Sequence, residues 1–263
     1  MELSIVILHH GNAKAATRSL QALTKAWLPD QTEVFVVNNG KPGCNAEIPF
    51  DGDFDLHYLE IENRGYPQGN NVAMQRAKGK FLCILTDVVV EPDTFKILLG
   101  YLQDHPQVGI VAPRLVYPEG GVQDNYRVFP RLVVQLIKRT FLRRWFLPQV
   151  RHYLMWDKDP QKSEAVDWLT GAMQVFTRQC WDSLGKKDER YFLFMSDVDI
   201  CRTAWDHGFE VHFVGETQAT HEQARLSGGG ILDVLKKRVV RIHILDAMKY
   251  YWKYRGKKIP KTQ

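Results

Sequence analysis

A loop rich in glycine and asparagine, followed by one well-placed carboxylate, carries the chemistry most open to reading in this 263-residue chain. Asn63-Arg64-Gly65-Tyr66-Pro67-Gln68-Gly69-Asn70-Asn71 sets two glycines and three asparagines at the head of a helix-like stretch. Glycine lets the backbone approach a ligand closely, and a helix N-terminus favours an anion such as a diphosphate. No Gly-Lys-Ser/Thr follows, so this is not a P-loop, and no Gly-x-Gly-x-x-Gly follows the first apolar run, which disfavours a dinucleotide fold. A plain turn with a helix cap would use the same residues, and on spacing alone both readings stand. Asp87 lies just beyond the apolar run Phe81–Leu85. A carboxylate there can meet a divalent ion that neutralises phosphate charge, and oxygen ligands suit magnesium or manganese. It can equally cap the next turn.

Apolar strands alternating with helices must position these groups. Leu3–Leu8, Glu33–Val37, Leu56–Ile61, Phe81–Leu85 and Val108–Tyr117 read as strands. Helices are expected from Asn12 to about Trp27, from Gln68 to Ala77, and from Glu91-Pro92-Asp93 to Gln103. That alternation predicts βαβ units and a mostly parallel sheet with helices on both faces. Ligands then bind beyond the carboxyl ends of the strands, where His9-His10-Gly11, Asn38-Asn39, Asn63–Asn71 and Thr86-Asp87 fall. Later, Val166–Thr177 reads as one or two strands broken at Gly171, Asp197–His207 as a helix and Phe209–Val214 as a strand. Ile231–Tyr254 reads as a long helix with Leu235, Val239, Ile242, Leu245 and Trp252 near one stripe, after a flexible joint at Ser227-Gly228-Gly229-Gly230.

Composition narrows the class. The chain is 44% hydrophobic and 25% charged, which excludes a disordered or collagen-like protein. No apolar run reaches the roughly 18 residues of a membrane span. The acidic start Met-Glu-Leu-Ser runs straight into a strand pattern, so no signal peptide is expected. Cys44, Cys83, Cys180 and Cys201 form no CxxC pair, which speaks against a zinc knuckle and for a reducing cytoplasm. The net charge of +5 is unevenly spread. Residues 127–156 hold seven Lys/Arg and no acid, and residues 231–263 hold ten against Asp233 and Asp246, so the remainder is acidic. Pro130, Leu132, Val133, Leu136, Ile137 and Phe141 form an amphipathic stripe among cations, with Trp145 and Phe146 at its end, and Lys249–Arg255 repeats the basic-aromatic mixture. That mixture suits an anionic membrane surface. The ordinary alternative is an apolar stripe packed on the domain under a solvated basic face; no nucleic-acid motif accompanies it.

Taken together, the motifs resemble family 2 glycosyltransferases of the rhamnosyltransferase-like kind, which build bacterial surface polysaccharides. The resemblance rests on Ser4–Leu8, Asn38-Asn39-Gly40, Asn63–Asn71, Ala77-Lys78-Gly79 and Ile84-Leu85-Thr86-Asp87. It continues through Val166-Asp167-Trp168-Leu169-Thr170-Gly171-Ala172, Ser196-Asp197-Val198-Asp199-Ile200-Cys201 and His221, in order from about residue 3 to 227. It implies an A-type glycosyltransferase fold, a UDP- or dTDP-sugar donor, a divalent metal (magnesium or manganese) and inversion at the anomeric carbon. By the same resemblance, Asn38 and Asn39 lie near the base, and Asn63, Gly65, Tyr66, Gly69 and Asn70 border the nucleotide. Asp87 meets metal and diphosphate, with His221 as a further metal ligand. Trp168, Gly171 and Asp199 line the sugar or acceptor region, and Asp197 is the general base. The apolar Tyr191–Met195 stretch before Asp197 suits a carboxyl that must take a proton late in the displacement. Each residue also has an ordinary structural reading: a first-turn charge for Asp197 and Asp199, a satisfied histidine for His221, a core aromatic for Trp168.

The chain departs from the family pattern at Ser196, where an acid is usual, at Leu85-Thr86 in place of Asn-Pro, and at Asn38 in place of Asp. Asn38 can still pair with the imide of uracil or thymine. The expected organisation is a catalytic domain over residues 1–227 and a basic amphipathic helix over 228–263. Within the domain, 1–117 is the nucleotide half and 118–227 the acceptor half, with the basic segment 127–156. The expected activity moves a sugar, with rhamnose as one candidate, onto a lipid-linked or lipopolysaccharide-type saccharide, in the cytoplasm and at the inner face of the membrane. The rival readings are a non-catalytic scaffold, motivated by the missing acids, and a nucleotidyltransferase using Arg64 and Lys78.

Overall fold

The computed structural model describes residues 1–50, 52–132, 144–222 and 237–260. Strand β1 (Leu3–His9) is buried along its whole length, as a strand covered on both faces must be. Its side chains alternate between two cores, with Val6 and Leu8 on one face and Leu3, Ile5 and Ile7 on the other. It pairs in parallel with β2 (Thr32–Asn38) and β4 (Phe81–Leu85), and β2 pairs in parallel with β3 (Asp55–Glu60). Helix α1 (Ala13–Leu23) links β1 to β2 and is capped by Asn12, whose Oδ1 accepts from Ala15 N at 3.2 Å. Helix α2 (Tyr66–Met74) links β3 to β4 and carries Pro67 in its first turn.

The second half completes the sheet and breaks the parallel rule in its centre. After β5 (Val88–Val90) and α3 (Thr94–Asp104) come β6 (Val108–Val116) and the short β7 (Tyr126–Arg127). Helix α4 (Leu147–Leu154), β8 (Glu164–Ala165), β9 (Trp168–Leu169) and β10 (Met173–Thr177) follow. Helix α5 (Arg178–Leu184), α6 (Ser196–Asp206), β11 (Glu210–His221) and α7 (Arg238–Lys253) finish the described chain. The sheet order is β3-β2-β1-β4-β10-β6-β11-β5, with β8 on β11; β7 and β9 pair separately. β10 lies antiparallel between β4 and β6, and β6 and β11 run parallel. α1 and α3 cover one face; α2, α6 and α7 contribute to the other.

Several boundaries differ from the sequence reading for local reasons. Helix α2 begins at Tyr66, not Gln68, because Pro67 is pre-set for a first turn. Strand β11 runs on to His221 past a register shift between Val214 and Gln218, where an expected end at Val214 took account only of the apolar run. The C-terminal helix, expected as a separate element, is part of the domain: Tyr250 and Tyr254 are buried in the same core as Leu8 and Ile84. Its buried face is not the expected stripe. Leu245 and Trp252 are exposed, while Val240, Asp246 and Tyr250 point inward. Leu235, the joint at 227–230 and residues 133–143 of the basic segment lie outside the described residues. All four cysteines are buried and free. Among the described residues, no helix is long and apolar enough to cross a membrane.

Candidate active site

Register brings the polar strand ends to one edge of the sheet. His9 lies opposite Asn38, Asn38 opposite Glu60, and Ile7 opposite Leu85, two residues before Asp87. Met173 lies opposite Leu85, and Thr86 N donates to Ala172 O at 2.8 Å, so Gly171 reaches the same edge from the antiparallel strand. His221, at the end of β11, lies opposite Val88. Four buried polar atoms on this side have no hydrogen-bond partner among the described residues: His9 Nδ1, Gln68 Oε1, Asn70 Oδ1 and Thr86 Oγ1. Orphans of this kind are rare in a finished core and mark where a ligand or water completes the bonding.

The asparagine-rich loop divides its labour. Asn38 Oδ1 accepts from Gly40 N at 2.9 Å and Gly11 N at 3.2 Å, and its Nδ2 donates to Lys41 O at 2.7 Å, so Asn38 shapes the loop around the expected base position. Asn39 Oδ1 and carbonyl face His10 Nδ1 at 3.3 and 3.1 Å. Asn63 Oδ1 accepts from Gly65 N at 3.0 Å. Gly65 has φ +110, and a Cβ there would run into Phe192 O, which accepts from Tyr66 N at 2.7 Å. Gly69 lets α2 press on Leu8; a Cβ would sit 2.8 Å from Leu8 Cδ1. Asn70 Nδ2 donates to Tyr66 O at 2.9 Å.

Beside this loop, a chain of contacts ends at Asp197. Tyr66 Oη donates to Gly171 O at 2.5 Å, and Gly171 N donates to Asp197 Oδ2 at 3.2 Å. Asp197 Oδ1 accepts from Val198 N at 2.9 Å. Burial, and then the charge of Asp197, push the Tyr66 phenol well up, so it stays a hydrogen-bond donor. Gly171 is required here, because a Cβ would lie 2.8 Å from Tyr66 Oη. Asp197 stands in the first turn of α6, where a carboxylate is favoured. Met195, just before that helix, has φ +67, and Asp87 has φ +55. Non-glycine residues in this region are strained, and strain of this kind gathers at functional sites.

Asp87 is not alone. Arg18 Nη2 donates to Asp87 Oδ1 at 3.3 Å and meets Glu222 Oε2 at 2.5 Å, so one guanidinium bridges two carboxylates. His221 Nδ1 faces Gln123 Oε1 at 2.9 Å, which puts the proton on Nδ1 and the lone pair on Nε2. Burial lowers the His221 pKa against the opposing charge of Asp87, so the ring is neutral, the form that ligates metals. Among the described residues, no group of three His, Cys, Asp or Glu could hold an ion alone. An ion of the magnesium type bound with phosphates takes only one or two protein donors and draws the rest from phosphate and water. Asp87 and His221 therefore fit an ion shared with a diphosphate and do not form a free-standing metal centre.

Two residues expected to touch sugar or acceptor do other work. Asp199 is buried and fully engaged: Tyr254 Oη at 2.9 Å, Tyr191 Oη at 3.1 Å and Lys253 Nζ at 2.8 Å all reach its carboxylate. It ties α7 to α6. Trp168 is buried, donates from Nε1 to Val128 O at 2.9 Å and lies 5.0 Å under Arg127. Both follow their structural readings. Sequence reasoning missed Arg18, Glu222 and Asp246. Asp246 on α7 is 1% exposed and accepts from three consecutive backbone N–H groups, Phe192, Leu193 and Phe194, at 2.9–3.1 Å. A lone acid on a basic helix was the only available signal for it.

The edge so described, a nucleotide-type loop facing a carboxylate across a mixed sheet, is that of an A-type glycosyltransferase. Solved structures share the fold. TarS of S. aureus matches with a TM-score of 0.58 and 15% identity over 84% of this chain and 60% of its own. Mannosyltransferase PcManGT from Pyrobaculum calidifontis, solved with GDP-Man and Mn2+, matches with a TM-score of 0.58 and 17% identity over 86% and 58%. The chain belongs to the family described as Glycosyltransferase like family 2, which matches residues 46–241. Among curated relatives, the N-acetylglucosaminyl-diphospho-decaprenol L-rhamnosyltransferase of Mycobacterium tuberculosis is 27% identical over 145 residues, 54% of this chain and 46% of that protein. The O-antigen biosynthesis protein RfbC of Myxococcus xanthus is 29% identical over 168 residues, 60% of this chain and 12% of that protein. The matched stretches thus span less than half the length of these relatives.

Proposed function

We propose that this glycosyltransferase inverts the anomeric carbon of a nucleotide-diphosphate sugar, with Asp197 as general base. The observation that carries this reading is the Tyr66–Gly171–Asp197 chain, which holds a carboxylate at the same sheet edge as Asp87. Asp197 takes the proton of the attacking acceptor hydroxyl as the glycosidic bond forms and the nucleotide diphosphate leaves from the opposite face. The proton passes to an Asp197 oxygen. Gly171 N–H and Tyr66 fix the direction in which that carboxylate points. A divalent ion held by Asp87 and His221 would neutralise charge on the leaving diphosphate. The loop shaped by Asn38 and Asn39 receives a uracil- or thymine-type base, and Asn63, Gly65, Gly69 and Asn70 border the ribose and phosphates.

The donor sugar is proposed as one of the rhamnose kind and the acceptor as a lipid-linked or lipopolysaccharide-type saccharide, in line with the curated relatives. The place of work is the cytoplasmic face of an anionic membrane. The exposed aromatics Trp145 and Phe146 just before α4, and Trp252 on α7, lie among basic residues and support that reading.

Titration calorimetry with UDP, dTDP and GDP, each with and without manganese, tests the donor site. One nucleotide should bind with metal dependence, and Asp87→Ala should remove the metal effect. Asp197→Asn should keep nucleotide affinity and lower transfer by about 10²–10⁴-fold. Binding of none of the three, or transfer unchanged in Asp197→Asn, would overturn the proposal.

A further inference from the structure

The Asp87 side chain is only 7% exposed. A carboxylate that far out of water is costly unless a cation balances it. The cation that reaches it comes from α1: Arg18 Nη2 lies 3.3 Å from Asp87 Oδ1. The same nitrogen lies 2.5 Å from Glu222 Oε2, so the shorter contact goes to the more open acid, whose side chain is 37% exposed. The backbone brings Glu222 here, since its N–H donates to Asp87 O at 3.4 Å and His221 stands opposite Val88. Arg18 is not needed to fasten its helix. Ser19 Oγ, one residue on, donates to Val88 O at 2.7 Å, and Ala16, Leu20 and Leu23 bury α1 in the same core as Ile5 and Ile7. The Arg18 side chain itself stays 39% exposed, so it touches both acids without being packed in place.

We infer that Arg18 is a stand-in for the divalent ion: it neutralises Asp87 in the donor-free protein and must leave that carboxylate before the ion can bind. The inference rests on the reading of Asp87 as the metal-binding carboxylate. A guanidinium and a divalent ion repel each other strongly at one half-buried carboxylate, so the two occupy it in turn. The unequal pair of contacts makes the exchange cheap. Arg18 gives up the longer contact to Asp87 and keeps the shorter one to Glu222, and its charge stays paired throughout. The consequence is a site that holds a divalent ion weakly on its own. A diphosphate, which adds negative charge and oxygen donors, tips the balance from arginine to ion.

The test is Mn2+ binding without nucleotide, followed by electron paramagnetic resonance, for wild type, Arg18→Met and Arg18→Gln. Both variants are expected to fold, since Ser19 still ties α1 to β5. Each should bind Mn2+ about tenfold more tightly than wild type, the worth of one charge-assisted contact that the ion no longer has to displace. Their Tm should also rise more on adding Mn2+ than that of wild type, because the ion then balances an otherwise unpaired Asp87. Lys25→Met removes an exposed cation just beyond α1 and should leave the affinity unchanged. An affinity unmoved in both Arg18 variants overturns the inference. So does an equal gain in Lys25→Met, which would reduce the effect to net charge. Adding Asp87→Ala to Arg18→Met separates the two failures. If the tight Mn2+ binding survives in that double variant, the ion sits elsewhere and the Asp87 reading falls. If Asp87→Ala alone removes the metal effect on nucleotide binding while Arg18→Met binds Mn2+ no more tightly than wild type, only the role of Arg18 falls.

Discussion

Gly65 shows what a single residue contributes to this site. It stands at φ +110, in the region that L side chains rarely adopt, with its Cα face turned to the carbonyl of Phe192. That carbonyl accepts from Tyr66 N at 2.7 Å and so joins the asparagine-rich loop to the segment that leads into Asp197. A methyl group would both strain the backbone and displace that carbonyl. Gly65→Ala is expected to lose about 3 kcal/mol of stability, read by urea denaturation. It should also raise KM for the donor, because the first turn of α2 shifts with it. A variant as stable as wild type would mean that the loop and the Phe192 segment move independently. The contrast between Asp197 and Asp199 belongs to the same scale. Two residues apart on one helix, one carboxylate is held by a single glycine N–H and its neighbour's amide, and the other is sunk among two tyrosines and a lysine. Sequence spacing gave both the same first-turn reading, and only Tyr191 and the partners from the end of α7 separate them.

Elements decide how much of this was legible in the chain itself. The strand run Leu3–Leu8, the break at Asn38-Asn39-Gly40 and the loop at Asn63–Asn71 could be read because each signal is local. Asp87, Gly171 and Asp197 could be ordered along the motif pattern, but their meeting at one edge depends on β10 entering antiparallel beside β4, which no local period encodes. Arg18, Glu222 and Asp246 were not legible, since each acquires its meaning from a partner tens of residues away. Asp246 is the clearest case. From α7 it accepts the N–H groups of Phe192, Leu193 and Phe194, and Lys249 Nζ lies 3.1 Å away. Helix α7 therefore grips the segment that leads into Asp197. Leaving several buried N–H groups unmet costs about 1–3 kcal/mol each. Asp246→Ala is expected to destabilise the protein by at least ~3 kcal/mol and to speed hydrogen exchange at residues 192–194 before the rest of the sheet. Exchange that rises uniformly would show that the helix supports the whole core and not this segment.

At the scale of the whole molecule, buried histidines weaken the fold in acid, and one helix face is the proposed membrane contact. Burial lowers the pKa of His9, against the Asn45 hydrogen bond, and that of His212, against Glu210. A histidine depressed in the fold adds stability that is present above its unfolded value near 6.5 and is lost as pH falls below it. The Tm of the free protein should therefore drop between pH 7 and 5, and His212→Gln should flatten part of that slope. The outer face of α7 argues for a surface partner. Arg241, Leu245, Met248, Trp252 and Arg255 recur at helical spacing, and Trp252 is 75% exposed under the Arg255 guanidinium at 5.8 Å. On α4 and its flank, Trp145 is 78% exposed and Phe146 and Leu147 are also open. Apolar side chains ringed by cations are costly in water and favourable at an anionic interface, where each cation contributes about 1 kcal/mol. Because the inner face of the same helix grips residues 192–194, binding through the outer face would hold Asp197 at a fixed height above the lipid. Flotation with phosphatidylglycerol vesicles should capture the protein, and phosphatidylcholine vesicles should not. Adding salt should weaken the capture. Replacing Leu245, Met248 and Trp252 together by glutamate should lower it at least about a thousandfold while leaving nucleotide binding intact, since each lost apolar contact is worth about 1.5–3 kcal/mol. Equal capture by both lipids, or an unchanged triple variant, would turn this face from a membrane contact into a plain solvated surface.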